Sequence, residues 1–448
     1  MPVTGITPSG SAGWRSGARF TLFVLFFASI LAFLDRQMLN ILVEPIKRDL
    51  RIGDLQFSLL QGMAFSAVYC LASFPVAILA DRFNRKAVIL VSLLVWNAMT
   101  LVFGLSTSFG MLLVARMGLA IGEAGLTPAA ISIIRQIYPP EKQSGAVAWI
   151  AFSLYAGGGL SMLVGGPALD ALAAMDAPPL GLSPWRILFL GSFAIGVVGL
   201  GLVMTMREPK RPATPSTQAS FRNFLAFVSE RRAPVVCYLA AGIALNAIVY
   251  AVMSWAPAML MRNHGWSTQQ TGLAFGAVYM IGGGAGALIA GRAVPWLRSS
   301  EPAGSVVRLL RFACVLIGIA LLFAAHAPDG TVTIVFLAFA MLGVGALVGV
   351  GVFGFQALFP AMFSARAVAV NFLVSGTLGA SLGPSGVALL KGWMGGTDAA
   401  TGPALGWFVA GAAFWAFLWL SAFLPFLRTG RVAGRDEPIA HGKPIKSG

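Results

Sequence analysis

The chain has 448 residues; 57% are hydrophobic and only 10% are Asp, Glu, Lys or Arg. A soluble domain is about 45–50% apolar and about 25% charged, which excludes an ordinary soluble enzyme and a disordered chain. The net charge of +15 does not mark a nucleic-acid binder, because the basic residues lie between apolar runs, where membrane topology uses them.

A helix crosses a bilayer with about 20 apolar residues. Twelve runs qualify: 20–42, 56–80, 87–105, 110–137, 146–169, 185–206, 233–261, 270–291, 307–325, 331–358, 367–390 and 403–427. The expected fold class is an all-α membrane protein of twelve transmembrane helices in two six-helix bundles. Residues 1–19, polar with Arg15 and Arg19, are not a signal peptide, because the next apolar run is too long and lacks a small-residue cleavage site. With the N-terminus inside, the inner segments hold 23 Lys and Arg against 6 in the outer loops. The positive-inside rule then predicts cytoplasmic termini. The expected organisation is a cytoplasmic tail at 1–19, bundles at 20–206 and 233–427, a cytoplasmic loop at 207–232 and a tail at 428–448. A monomer in a bacterial inner membrane is expected.

Cys70, Cys237 and Cys314 lie in apolar runs, too scattered for a disulfide framework or metal site. They read as small buried residues. An internal repeat supports two halves: Phe65-Ser-Ala-Val-Tyr69 returns as Phe275-Gly-Ala-Val-Tyr279, and Gly166-Pro167 as Gly383-Pro384. The runs Gly157–Gly159 and Gly282–Gly284 suit close helix packing and bending.

After the second run the chain reads Asp81-Arg82-Phe83-Asn84-Arg85-Lys86. This resembles the Gly-x-x-x-Asp-Arg-x-Gly-Arg-Arg/Lys loop of the major facilitator superfamily, with Ala77 and Asn84 in place of the glycines. Asn tolerates a left-handed backbone, so Asn84 is expected to supply the turn. The resemblance assigns Asp81, Arg82 and Arg85 to a cytoplasmic gate between the halves; the bare alternative is a topology signal.

Four charges fall well inside apolar runs: Asp35, Arg36, Arg116 and Glu123. A charge near the bilayer centre costs about 2.5–3.5 kcal/mol on insertion scales, so it is held there for a reason. At 1.5 Å per residue, Asp35 lies about 22 Å from the inner start of its helix, Arg116 about 9 Å from the outer end of its own, and Glu123 near mid-bilayer. One reading is two ion pairs that only tie the first and fourth helices together. The other is a proton site, since burial raises a carboxylate pKa and a nearby Arg lowers it. Glu123 then carries the proton, Asp35 switches partners, and Arg36 and Arg116 support them. Gly118 and Gly122 form a face for close helix approach, and Pro128 can kink the fourth helix.

The runs Leu34-Asp35-Arg36-Gln37, Val43-Glu44-Pro45-Ile46-Lys47-Arg48-Asp49-Leu50 and Gly122-Glu123-Ala124, with Arg116 upstream, resemble the Spinster-type branch of that superfamily. The resemblance is strongest over about residues 30–170. It implies transport of a lysophospholipid or sphingosine-phosphate, with proton coupling on Asp35, Arg36 and Glu123. The same motifs occur in relatives that carry organic anions.

Candidate cavity residues in the second half are Asn246, Tyr250, Trp255, Tyr279, Phe353, Gln356 and Asn371, with Ser254 and Ser375. They are uncharged, and Arg36 is the candidate head-group contact. A polyanion would want several cations; an amphiphile fits better, and a hydrophobic drug nearly as well. The expected partners are a membrane lipid or other amphiphile and protons, with no cofactor, metal or nucleic acid. No Gly-x-x-x-x-Gly-Lys-Ser/Thr loop is present for ATP. A membrane hydrolase would need a nucleophile and base or metal ligands together, and no His lies inside a run. An uncoupled lipid facilitator is the third reading.

Overall fold

A computed structural model describes residues 11–207, 221–294, 302–356 and 358–428. Among the described residues, twelve helical spans are long and apolar enough to cross a membrane: Gly17–Ile41, Asp54–Ser73, Arg85–Gly104, Phe109–Ile137, Glu141–Ala173, Pro184–Thr205, Arg232–His264, Thr268–Ala293, Gly304–Ala325, Gly330–Gln356, Arg366–Trp393 and Asp398–Leu427. They are numbered 1 to 12 here. Among the described residues there are no strands. The face where span 1 starts and span 12 ends is called terminal, and the opposite face distal.

Two apolar cores form. One gathers residues from Val24 to Met206. The other gathers residues from Phe224 to Leu427 and takes in Tyr155 and Met162 of span 5. Those two residues mark a seam where the first half packs on the second. At that seam a Cβ on Gly166 would sit 2.4 Å from the Thr268 carbonyl oxygen. At a second seam, between spans 2 and 11, a Cβ on Gly62 would sit 2.2 Å from the Ala380 oxygen. Only glycine permits either approach.

Several spans are broken where they meet neighbours. Span 2 is divided at Gly62 into Asp54–Gln61 and Met63–Arg82. Span 4 is divided after Glu123, and its second piece starts at Leu126 with Pro128 in its first turn, where a missing N–H costs nothing. Spans 8 and 11 carry π-turns at Val278–Gly283 and Phe372–Gly376. π-Turns often mark functional sites in helices. The Gly282–Gly284 run thus marks a local change of helix type.

Three expectations are corrected. Asn84 is not left-handed: its φ is −60° and ψ 119°. It caps span 3 instead, its Oδ1 accepting from the Ala87 N–H at 2.8 Å. Asn is a strong cap because its side-chain oxygen satisfies a first-turn donor. The stretch read as a central loop contains a helix, Phe221–Glu230. Phe224 and Phe227 seat it on Phe359 and Phe363, with centroids 5.5–5.7 Å apart. Cys237 and Cys314 are buried, but Cys70 is half-buried at the span 2–span 11 seam, its Sγ 3.4 Å from the Phe372 oxygen.

A short helix, Val43–Leu50, follows span 1 on the distal face. Its Asp49 accepts from Ser183 Oγ at 2.9 Å, Trp185 Nε1 at 2.7 Å and Arg186 Nη2 at 3.0 Å. Partial burial raises the Asp49 pKa, but these donors outweigh it and hold the carboxyl below its ordinary range.

Candidate functional site

The centre of the first half is built from one turn of span 1. Consecutive helical residues point about 100° apart, so Asp35, Arg36 and Gln37 face three directions. Asp35 is buried against spans 3 and 6. Its Oδ2 accepts from Trp96 Nε1 at 2.7 Å and Thr100 Oγ1 at 3.2 Å, and its Oδ1 from Ser192 Oγ. All three donors are neutral.

Arg36 turns toward spans 2 and 4. Its Nη2 pairs with Glu123 Oε2, and its Nε reaches the same oxygen at 3.2 Å. The guanidinium carbon lies 4.3 Å from the Phe65 ring centroid, 5.2 Å from Phe33 and 5.3 Å from Tyr69. Arg116 approaches that same Phe65 ring at 4.6 Å. Cation–π contacts of this kind strengthen when desolvated. Arg116 donates from Nε to the Leu60 carbonyl at 3.1 Å rather than to a carboxylate. Glu123 Oε1 is buried and has no hydrogen-bond partner among the described residues. The sequence reading of two ion pairs is therefore half right: Arg36–Glu123 forms, while Asp35 is held by neutral donors.

Span packing fixes these positions. Cβ atoms on Gly118 and Gly122 would collide with Met99 and with the Trp96 backbone, at 2.4 and 2.6 Å. The expected small-residue face is real. It presses span 4 onto span 3, beside the Trp96 that binds Asp35.

Gln37 faces the other half. Its Nε2 lies 3.3 Å from Tyr279 Oη and 3.6 Å from Met253 Sδ. Asn40 donates to Gln37 Oε1, and Gln61 Nε2 to Asn40 Oδ1 at 3.0 Å.

The other predicted contacts divide. Tyr279 is buried in its π-turn. Trp255 is buried, and its Nε1 donates to the Pro384 carbonyl at 2.9 Å. The indole thereby links spans 7 and 11. Ser254 is buried as well. Asn246, half-buried, donates to the Gly242 carbonyl of its own helix at 2.9 Å. Half-buried Tyr250 lies within electrostatic reach of Arg36. Asn371 is buried, and buried Ser375 donates to the Leu239 carbonyl at 3.2 Å. Gln356 is half-buried and Phe353 exposed.

Of the gate residues, the side chains of Asp81 and Arg82 lie outside the described residues. Arg85 is buried and bonds Ser132 Oγ at 3.1 Å and Gln136 Oε1, both in span 4 of its own half.

A charged cluster absent from the sequence reading joins the halves on the distal face. Asp54 accepts from Lys47 of its own half, and from Arg262 at 2.9 Å and Lys391 at 2.7 Å of the other. Arg262 also pairs with Glu44 at 2.6 Å, and Lys391 with Asp398 at 3.1 Å. Three acids and three bases balance. Lys47, Arg262 and Lys391 are three of the six basic residues counted in the outer loops. Nearby, Asp170 accepts from Thr268 Oγ1, and from the Gln269 N–H at 2.9 Å.

Twelve spans in two packed halves, with ionised groups held at the centre of one, define the architecture of a membrane carrier rather than an enzyme. Residues 25–384 match the Major Facilitator Superfamily, and the chain belongs to that family. An "MFS-type efflux pump" of Mycolicibacterium smegmatis is 32% identical over 62% of this chain and 63% of its own length. The "Protein spinster" of Drosophila melanogaster is 26% identical over 47% of this chain and 33% of its own length. A sphingosine-1-phosphate transporter of Danio rerio is 24% identical over 53% of this chain and 47% of its own length. The chain thus spans less than two thirds of the length of these relatives. A crystal structure of a bacterial homolog of the human lysosomal transporter Spinster, inward-facing and unoccupied, superimposes with a TM-score of 0.74 at 26% identity, covering 93% of this chain and 99% of that one. The resemblance to the Spinster-type branch is borne out.

Proposed function

We propose that the protein is a proton-coupled secondary transporter that moves a lysophospholipid- or sphingolipid-like amphiphile by alternating access. The observation that carries this reading is Glu123, buried at the centre of the first half with one oxygen on Arg36 and the other without a hydrogen-bond partner among the described residues. A proton on the free oxygen would loosen the Arg36 pair and release its guanidinium toward a substrate head group. Burial of Asp35 among neutral donors supplies a second carboxyl whose charge is tolerated but not neutralised.

The terminal face is the cytoplasmic one in this reading, because the basic residues gather there. The setting is a bacterial inner membrane, with the protein as a monomer. The distal face, tied by Asp54, Arg262 and Lys391, is then the closed outer gate. Asp81, Arg82 and Arg85 serve the cytoplasmic gate. Arg36, Asn246, Tyr250, Trp255, Tyr279, Phe353, Gln356 and Asn371 border the substrate path. Uncharged candidate residues on the second-half side of the path and the charged groups at the centre of the first half suit a molecule with one polar head and one apolar body.

The test is flux of a labelled lysophospholipid into proteoliposomes, with and without an imposed pH gradient, for wild type and Glu123→Gln. Gradient-driven flux that disappears in the variant supports both the substrate and the proton site. Flux indifferent to gradient and variant means an uncoupled facilitator. The 32% identity to an efflux pump favours a second reading, export of a hydrophobic drug; absence of lipid flux with gradient-driven drug flux selects it.

A further inference from the structure

Gln37 and Tyr279 form a polar joint between the halves in the middle of an apolar seam. We infer that this joint transmits the state of the Arg36–Glu123 pair to the second half, with Gln37 as the positioning residue. The inference rests on the alternating-access reading above.

Gln37 follows Arg36 directly on span 1, so the two share one turn of backbone. A rotation or shift of that turn when Arg36 leaves Glu123 must also shift Gln37 against Tyr279. Gln37 is itself fixed from behind by Asn40 and, through it, by Gln61 of span 2. Gln61 adjoins the Gly62 break, and its neighbour Leu60 holds Arg116 through its carbonyl. The two cations around Phe65 are therefore tied to the inter-half joint through chain neighbours, Arg36 through Gln37 and Arg116 through Leu60 beside Gln61.

The receiving side is shaped for this contact. A Cβ on Gly158 of span 5 would lie 2.6 Å from the Tyr279 ring, and one on Gly283 would lie 2.5 Å from the Tyr155 ring. Tyr155 and Tyr279 are tilted neighbours at 6.1 Å. Tyr279 sits inside the π-turn, where the helix has an extra residue to absorb a change of register. Buried amides are costly unless hydrogen-bonded. Apolar side chains would close this seam without that cost, so the polar chain asks for a role beyond packing.

The test is a double-mutant cycle read by pulsed electron paramagnetic resonance on full-length protein in lipid. Spin labels replace Met175 and Gln269, exposed residues on the distal face of opposite halves, with the three cysteines changed to Ala. Glu123→Gln mimics protonation and is expected to change the ratio of open to closed distal face by about threefold or more. In Gln37→Leu or Tyr279→Phe that change is expected to fall to less than half. Tyr279→Phe keeps the ring that packs on Gly158, so loss of coupling there is not a folding defect. An undiminished response to Glu123→Gln in both variants overturns the joint and leaves the proton site standing. No response in the wild-type background overturns both readings together.

Discussion

Arg36 directs Nε and Nη2 at one oxygen of Glu123 and leaves the other oxygen buried with no hydrogen-bond partner among the described residues. A structural ion pair in a low-dielectric interior is favourable only when its remaining lone pairs are satisfied. This pair falls short of that condition, so its structural benefit is weak and its sensitivity to one proton is high.

Glu123→Gln tests that sensitivity. The amide can still accept from Arg36 but carries no charge, so the guanidinium loses its counter-ion. Gradient-driven flux is expected to fall to the passive level, and unfolding stability by about 2–3 kcal/mol. Flux in proteoliposomes and thermal melting in detergent measure the two effects separately. The double variant Asp35→Asn/Glu123→Gln retaining normal gradient-driven flux would sink the proton site altogether.

Asp35 answers differently because its partners are neutral. In Asp35→Asn the amide oxygen can keep the Trp96 and Thr100 bonds, while the amide nitrogen can donate to Ser192 Oγ. Stability is expected to change by less than about 1 kcal/mol, whereas conformational exchange slows. Asp35→Leu leaves Trp96 Nε1 and Ser192 Oγ without this acceptor, while Thr100 keeps the Trp96 carbonyl at 3.2 Å, and it is expected to lose about 3 kcal/mol. Equal melting of the two variants would show that the Trp96 and Ser192 bonds contribute nothing.

These contrasts also show what the sequence could tell. Asp35, Arg36, Arg116 and Glu123 stand out because ionised groups in apolar runs are rare, and the twelve spans follow from run length alone. Trp96, Thr100, Ser192 and Phe65 do not stand out, since an aromatic or a hydroxyl inside an apolar helix carries no signal until helix rotation is known. Asn84 was legible as a turn residue but not as a cap, because both uses rest on the same short amide. Lys47, Arg262 and Lys391 lie at helix ends, where topology alone accounts for them. Their meeting at Asp54 depends on how the two halves come together, since Arg262 and Lys391 lie 208 and 337 positions beyond it.

Asp49 gives a pH prediction outside the membrane spans. Its folded pKa lies below the unfolded one, so as pH falls the unfolded chain takes up the proton first. Its contribution to stability is complete above about pH 4, near the unfolded pKa, and is lost as pH falls through the folded value. Asp49→Asn is therefore expected to melt below wild type at pH 7, with the gap closing below about pH 4. A melting series from pH 3 to pH 8 checks this, and a gap that persists at the acid end would assign the effect to packing.

The distal cluster makes the strongest structural claim, because one carboxylate, Asp54, holds Lys47 of its own half and Arg262 and Lys391 of the other. Removing it in Asp54→Ala leaves these cations together with Glu44 and Asp398 as counter-ions. The expected loss is about 3 kcal/mol, felt mainly as failure of the distal face to stay closed. Distal cysteine reporters should become several-fold more reactive while the fold persists. Arg262 keeps Glu44 and stacks over Trp255 at 5.3 Å, so its side chain should remain in place. That makes Lys391 the more exchangeable partner. Asp54→Lys alone should abolish closure, and adding Lys391→Asp should restore part of it, since the swapped pair regains one attraction although Lys47 and Arg262 still face the new lysine. Rescue of labelling protection by the swap, without full recovery of transport, is the expected outcome. No rescue, with both proteins folded, would mean that the Gly62 and Gly166 seams rather than the ion pairs hold the distal face shut.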